Sequence, residues 1–324
     1  MTFTIAERVA GCLKGIATGD AIGKQTEMLP RDEVLRWYPH GVRGFEGMPG
    51  MPIPRYLGNS KREWRIGETT DDTERTLAVA RAILADRSVI RESIGRELLS
   101  CTKCVHRGLK SLWEFHQAGD PARIATDHNG CGAAVRVAPV GILHASNSLD
   151  DLIRGARDAS LPTHGGSLAI AAAAATAAAV SAAVDAASPG EVLVLAARAA
   201  AQAEGECLGR PSTLFADAIL AVHDDLTSGG DCRPESVAAI WFPSQPLTIV
   251  PLALGLATVM TSAQDAMLLA ANVGGDSDSV ASIAGGILGA MRPDTVNQDW
   301  CDVVESVNEH DLVRVGSELA KLRH

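Results

Sequence analysis

Apolar residues recur at intervals of three and four along most of the chain, as in Val9, Leu13 and Ile16 early and Leu247, Val250, Leu254 and Ala257 late. That spacing lays them along one face of a helix. Alternating apolar and polar runs bounded by turn residues, the mark of a half-buried strand, are nearly absent. The pattern therefore predicts an all-α fold in which helices bury their apolar faces against other helices. Alanine dominates residues 169–187. Alanine is the best helix former and has almost no side chain, so this helix is expected at the centre of the bundle, where neighbours can approach it closely from every side. The periodicity fails over residues 39–65, where Gly41, Gly44, Gly47, Pro49, Gly50, Pro52, Pro54 and Gly58 crowd together. A loop of that length is either a lid or binding loop, or a mobile surface segment. With no internal repeat or long linker, residues 1–324 read as a single domain.

Composition narrows the functional classes. The chain has 324 residues, 46% of them hydrophobic, and a net charge of −10. It is long enough for a large core. Its acidic balance offers nothing to a phosphate backbone, so nucleic acid is not expected as a partner. The first ten residues lack the basic start and apolar stretch of a secretory signal, which points to the cytoplasm. Residues 167–187 are weakly apolar and include Thr176, Ser181 and Asp185, so no membrane span is expected. The seven cysteines are scattered and odd in number, which fits a reducing compartment. Cys101 and Cys104, with His106 close behind, lack the further ligands of a zinc site and read as ordinary helix cysteines.

Two acidic segments carry the candidate chemistry: Thr70, Asp71, Asp72 and Thr73, and Gly274, Gly275, Asp276, Ser277, Asp278 and Ser279. Each precedes a helical pattern. Helix capping explains one oxygen-bearing residue at each start, but not two carboxylates. Carboxylates and hydroxyls are the donors that a hard cation such as Mg2+ prefers. Adjacent helical side chains diverge, so each pair can converge only at an irregular helix start, which Gly274 and Gly275 permit. One or two divalent cations would relieve the repulsion among four crowded carboxylates. The spacing matches neither an EF-hand, a dinucleotide fingerprint nor a phosphate-binding Walker loop. Residues 129–132 (Asn129, Gly130, Cys131, Gly132) either present backbone N–H groups to a diphosphate or make a plain tight turn. His164, just before a helix, is either a donor to a substrate oxygen or a structural histidine.

Five blocks together resemble the ADP-ribosylglycohydrolase family: Gly19-Asp20-Ala21-Ile22-Gly23 with Glu27, Thr70-Asp71-Asp72-Thr73, Arg136-Val137-Ala138-Pro139, Thr163-His164, and Gly274-Gly275-Asp276-Ser277-Asp278. They stand in that order across nearly the whole chain. The resemblance implies a compact orthogonal multi-helix bundle with a binuclear magnesium centre, two Mg2+ or Mn2+ in their place, and an enzyme that hydrolyses N- or O-glycosyl bonds of ADP-ribose. By position it assigns Thr70, Asp71 and Asp72 to one ion and Asp276, Asp278 and Ser279 to the other, with Asp278 bridging. It makes Glu27 and Asp278 the catalytic carboxylates, and Asp20 a carboxylate that orients ligands. Gly130, Cys131, Gly132, His164, Gly274 and Gly275 become the substrate contacts. The family's asparagine falls on Cys131, or on Asn129 if the loop is longer. The substrate would be an ADP-ribosylated protein or a ribosylated small molecule; the oligomeric state is left open.

This chain departs from the family pattern at several places. Gly165-Gly166-Ser167 follows the histidine where a small residue and proline are common, Arg75 stands where an apolar residue is common, and Lys24 lies within the Gly19 to Glu27 block. The rival readings are an N-glycosidase for a ribosylated or NAD-derived metabolite in a specialised pathway and a catalytically idle ADP-ribose-binding relative. Retention of all four aspartates speaks against the second.

Overall fold

The computed structural model describes residues 2–59, 62–103, 105–107, 109–228 and 232–324. Among them there are helices and no strands; the only β-type pairing is one isolated antiparallel bridge between Pro52 and Arg65. The expected all-α architecture is what the chain adopts.

The alanine helix, Ser167–Val184, lies at the centre as its composition predicts, with every residue from Ala169 to Val184 buried. It is long and apolar enough to cross a membrane, but its surface is spent on packing against other helices. Its neighbours include Pro189–Leu208, Leu149–Ser160, Ala138–Leu143 and Ser277–Met291. One hydrophobic cluster runs through the molecule from Val9 to Leu319.

The most extensive helix pair joins distant parts of the chain: the helix Ile5–Gly23 lies along Ser277–Met291. Gly11, Gly15, Gly19 and Gly23 recur every fourth residue and so share one face of the first helix. A Cβ placed on Gly11, Gly15 or Gly19 would stand 2.2, 2.0 or 2.2 Å from the backbone oxygen of Gly289, Gly285 or Ala281, respectively. The two backbones therefore touch directly, and no side chain separates them. This contact fixes Asp20 and Lys24, at the end of one helix, relative to Asp278 at the start of the other.

The glycine- and proline-rich loop is hydrogen-bonded along its length. Ile53 N donates to Trp64 O at 2.8 Å, Ile66 N to Met51 O at 2.8 Å and Gly50 N to Ile66 O at 2.9 Å. Ile53, Trp64 and Ile66 form a small core of their own, with Phe45 and Tyr56 against it. Arg55 Nη2 straps the loop to the end of the first helix by donating to Glu27 O at 2.7 Å. The loop is thus a built flap beside Lys24 and Glu27. Cys101 falls just beyond the helix Arg91–Leu99 instead of within one, and Cys104 lies outside the described residues.

Candidate active site

Helix starts build the site. Thr70 is the N-cap of Asp71–Asp86, its Oγ1 accepting from Asp72 N at 3.1 Å. The buried Asp20 carboxylate grips the same turn, accepting from Thr70 N at 2.9 Å, from Thr73 N at 3.1 Å and from Thr73 Oγ1 at 2.5 Å. Asp20 thereby uses backbone donors that a helix start leaves unpaired, and fixes where Asp71 and Asp72 point. The second start is made by Gly274 and Gly275, with φ of +84° and +65°, before the N-cap Asp276 of Ser277–Met291. Only glycine enters that conformation without strain.

The two segments meet. Ser279 Oγ donates to Asp72 Oδ2 at 3.0 Å, across 207 positions of sequence. Cys131 Sγ donates to Asp276 Oδ2 at 3.3 Å and lies 3.9 Å from Ser279 Oγ. Lys24 Nζ is ion-paired with Glu27 and stands 4.0 Å from Asp278 Oδ2. Tyr56 Oη donates to Glu27 Oε2 at 3.4 Å, and Trp64 of the flap covers the ammonium, with its ring centroid 4.2 Å from Nζ. Arg75 Nη2 is paired with the Asp71 carboxylate and lies 3.9 Å from Asp72 Oδ1.

This crowding shows in the ionisation of the groups. Burial, and then Asp20 and Asp276, push the Asp72 carboxyl well above its usual range. Burial and then Glu27 do the same to Asp278, against the pull of Lys24. Cys131 is also pushed well up, by burial first and by Asp276 and Asp72 next, which keeps it a neutral thiol. Burial alone would lower Lys24, but Glu27 and then Asp278 outweigh it and hold the ammonium charged.

The hard-oxygen donors Asp72, Asp276, Asp278 and Ser279 suit a Mg2+-type cation. Among the described residues, no three His, Cys, Asp or Glu side chains already stand in ligating geometry. Their oxygens are engaged instead by Ser279, Cys131, Lys24 and Arg75.

Three groups of residues expected at the site acquire structural partners. Gly274 and Gly275 are buried turn-makers: Gly275 N donates to Leu29 O at 2.8 Å, Met28 N donates to Gly275 O at 2.6 Å, and a Cβ on Gly274 would stand 2.2 Å from Leu29 O. His164 is hydrogen-bonded through Nδ1 to Thr163 Oγ1 at 2.7 Å and through Nε2 to Ser111 Oγ at 3.3 Å. Burial, and then Arg136, keep it well below the usual histidine range and neutral. Its ring sits beneath Gly130 and Gly132, where a Cβ would come within 3.2 and 3.1 Å of it, so it supports that loop. Of the two alternatives in the loop, Cys131 reaches the acidic centre, whereas Asn129 Oδ1 turns away to accept from Leu168 N at 3.0 Å. The sequence marked Lys24 and Arg75 as departures without giving their partners, and it did not single out Trp64.

The all-α bundle gathers acidic helix starts from both halves of the chain into one centre. The sequence profile of the ADP-ribosylglycohydrolases matches residues 1–324, and the chain belongs to that family of enzymes, which use metal ions and cleave the glycosidic linkages of ADP-ribose. It is 28% identical to Uncharacterized protein YegU of Escherichia coli (strain K12), over 98% of this chain and 97% of that one. It is 24% identical to ADP-ribosylarginine hydrolase Tri1 of Serratia proteamaculans (strain 568), over 91% of this chain and 75% of that one. A solved structure titled ADP-ribosylglycohydrolase-related protein complex shares the fold, with a TM-score of 0.70 at 22% identity and 99% of each chain covered.

Proposed function

We propose that the chain is a Mg2+-dependent hydrolase that releases ADP-ribose from a modified protein side chain, with arginine as the acceptor. The observation that carries this reading is the Ser279 to Asp72 contact, which joins the two acidic segments into one centre. Breaking the bond between the ribose anomeric carbon and the acceptor nitrogen builds positive charge on the sugar. Buried Asp72 and Asp278 and half-buried Asp276 border the place where that charge develops, and ionised carboxylates there stabilise it. Glu27, a quarter exposed and held by Lys24 and Tyr56, is placed to take the proton of the attacking water. Asp72, Asp276, Asp278 and Ser279 would hold a divalent cation, which would supply Lewis acidity toward the vicinal ribose hydroxyls. The loop of Gly130, Cys131 and Gly132 borders the same centre through Cys131 and flanks the diphosphate. The acidic surroundings suit a guanidinium leaving group, and Tri1 is named for that acceptor.

The test is release of ADP-ribose from an ADP-ribosylated arginine protein, with Mg2+ and with EDTA. Asp278→Asn should cut kcat at least ~10²-fold while the circular-dichroism spectrum stays unchanged. Undiminished turnover in EDTA, or a fully active Asp278→Asn, would overturn the reading.

A further inference from the structure

Arg136 is fully buried, and among the described residues its partners are carbonyl oxygens and one hydroxyl, with no carboxylate. It donates from Nη1 to Gly132 O at 3.2 Å, and from Nη2 to Ala159 O at 2.8 Å and to Thr163 Oγ1 at 2.7 Å. Burial pulls it down to about 9, which leaves it charged at neutral pH. From Thr163 the contacts run on in one line: Oγ1 lies 2.7 Å from His164 Nδ1, and His164 Nε2 lies 3.3 Å from Ser111 Oγ.

The first member of that line fixes where each hydrogen points. A guanidinium only donates, so Thr163 Oγ1 accepts from it. Thr163 is fully buried, and among the described residues Nδ1 is the one partner left for its hydroxyl hydrogen. Stranding that hydrogen would be costly, so Oγ1 donates to Nδ1. The neutral ring then carries its own hydrogen on Nε2 and donates it to Ser111 Oγ. Ser111, partly exposed in the first turn of Lys110–Ala118, keeps a hydroxyl hydrogen for which no described residue supplies an acceptor. It stands beside the glycine loop, since a Cβ on Gly130 would come within 3.2 Å of the same Nε2.

We propose that Ser111 binds the diphosphate of ADP-ribose, with Arg136, Thr163 and His164 turning its hydroxyl hydrogen toward a phosphate oxygen. The assignment rests on the ADP-ribose reading above. Successive hydrogen bonds polarise one another, and this line begins at a cation, so the hydrogen at its far end favours an anionic acceptor. With the other histidine tautomer Ser111 would donate to Nε2 and turn only lone pairs to the ligand, which a phosphate oxygen repels.

Calorimetry with ADP-ribose and 15N-histidine NMR on the whole protein test this. The wild-type His164 ring should show the Nε2–H tautomer. Ser111→Ala, which places a good helix former on a partly exposed helix position, should keep the fold and weaken ADP-ribose binding at least ~10-fold, the scale of a hydrogen bond to a charged group. Ser111→Thr, which keeps the hydroxyl, should restore binding. Wild-type affinity in Ser111→Ala overturns the assignment, as does an Nδ1–H tautomer of His164 or a Ser111→Thr protein as weak as the alanine variant. Any of these, in a protein that still binds and releases ADP-ribose, leaves the proposed function standing; a wild type that binds no ADP-ribose sinks both.

Discussion

Gly15→Ala separates two forces that act with opposite sign. Intrinsic helix propensity favours alanine over glycine by about 1 kcal/mol in a helix interior. Gly15, however, faces backbone on the partner helix: an added Cβ would meet Gly285 O at 2.0 Å, Gly285 C at 2.5 Å and Gly286 N at 3.0 Å. No side chain there can rotate away, so the helices must part by more than ~1 Å to restore ordinary contact distances. Overpacking of this kind costs about 3 kcal/mol at the upper end of its usual range, which leaves a net loss of about 2 kcal/mol. The same separation moves Asp20 and Lys24 away from Asp278, and a misplacement of ~1 Å can cost ~10²-fold in kcat. Gly190, at the exposed start of Pro189–Leu208, has nothing within 4 Å of its added Cβ and serves as control. Gly190→Ala should gain about 0.5–1 kcal/mol. Urea unfolding followed by circular dichroism, with kcat on an ADP-ribosylated substrate, measures both variants. A Gly15→Ala protein as stable as wild type and fully active would show that the backbone contact does not position the site.

Three further outcomes follow from the same geometry. Asp20→Ala strips the acceptor from Thr70 N, Thr73 N and Thr73 Oγ1; it should lower stability by about 1–3 kcal/mol and weaken metal binding about 10–100-fold, read by thermal melts and Mn2+ titration. The Asp72 and Asp278 carboxyls titrate near 3.8 when unfolded but well above that when folded, so the folded state binds more protons in that window and rising pH destabilises the metal-free protein. Bound Mg2+ displaces those protons, so the rise in Tm on adding Mg2+ should be small near pH 5 and larger near pH 8; an increment independent of pH would contradict the crowding. Cys131, partly exposed but held neutral by burial and by Asp276, should resist iodoacetamide in the native protein near pH 7.5. Rapid labelling there, mapped by mass spectrometry, would place the thiol away from the carboxylates.

The parts of this protein legible in the sequence are those whose cause is local. Alanine from 169 onward announces a central helix because side-chain volume alone decides how near a neighbour can come. Thr70 before Asp71, and Gly274 and Gly275 before Asp276, announce irregular helix starts because capping and positive φ are properties of a few consecutive residues. At His164 and at Gly274 and Gly275 the fold adds what the sequence could not show, the partners that hold each of them in place. What stayed hidden depends on distant partners. The four-residue spacing of Gly11, Gly15, Gly19 and Gly23 is plain to see, yet its meaning lies in Gly285 and Gly289, some 270 positions on. Lys24 and Arg75 stand out in the sequence only as departures from the family pattern, and their partners Glu27, Asp278, Asp71 and Asp72 emerge from the fold. The two kinds of feature meet at the active centre. The helices approach without intervening side chains, so the carboxylates at their ends have little freedom to separate. Their repulsion therefore persists, and cations, whether Lys24, Arg75 or a divalent ion, must offset it.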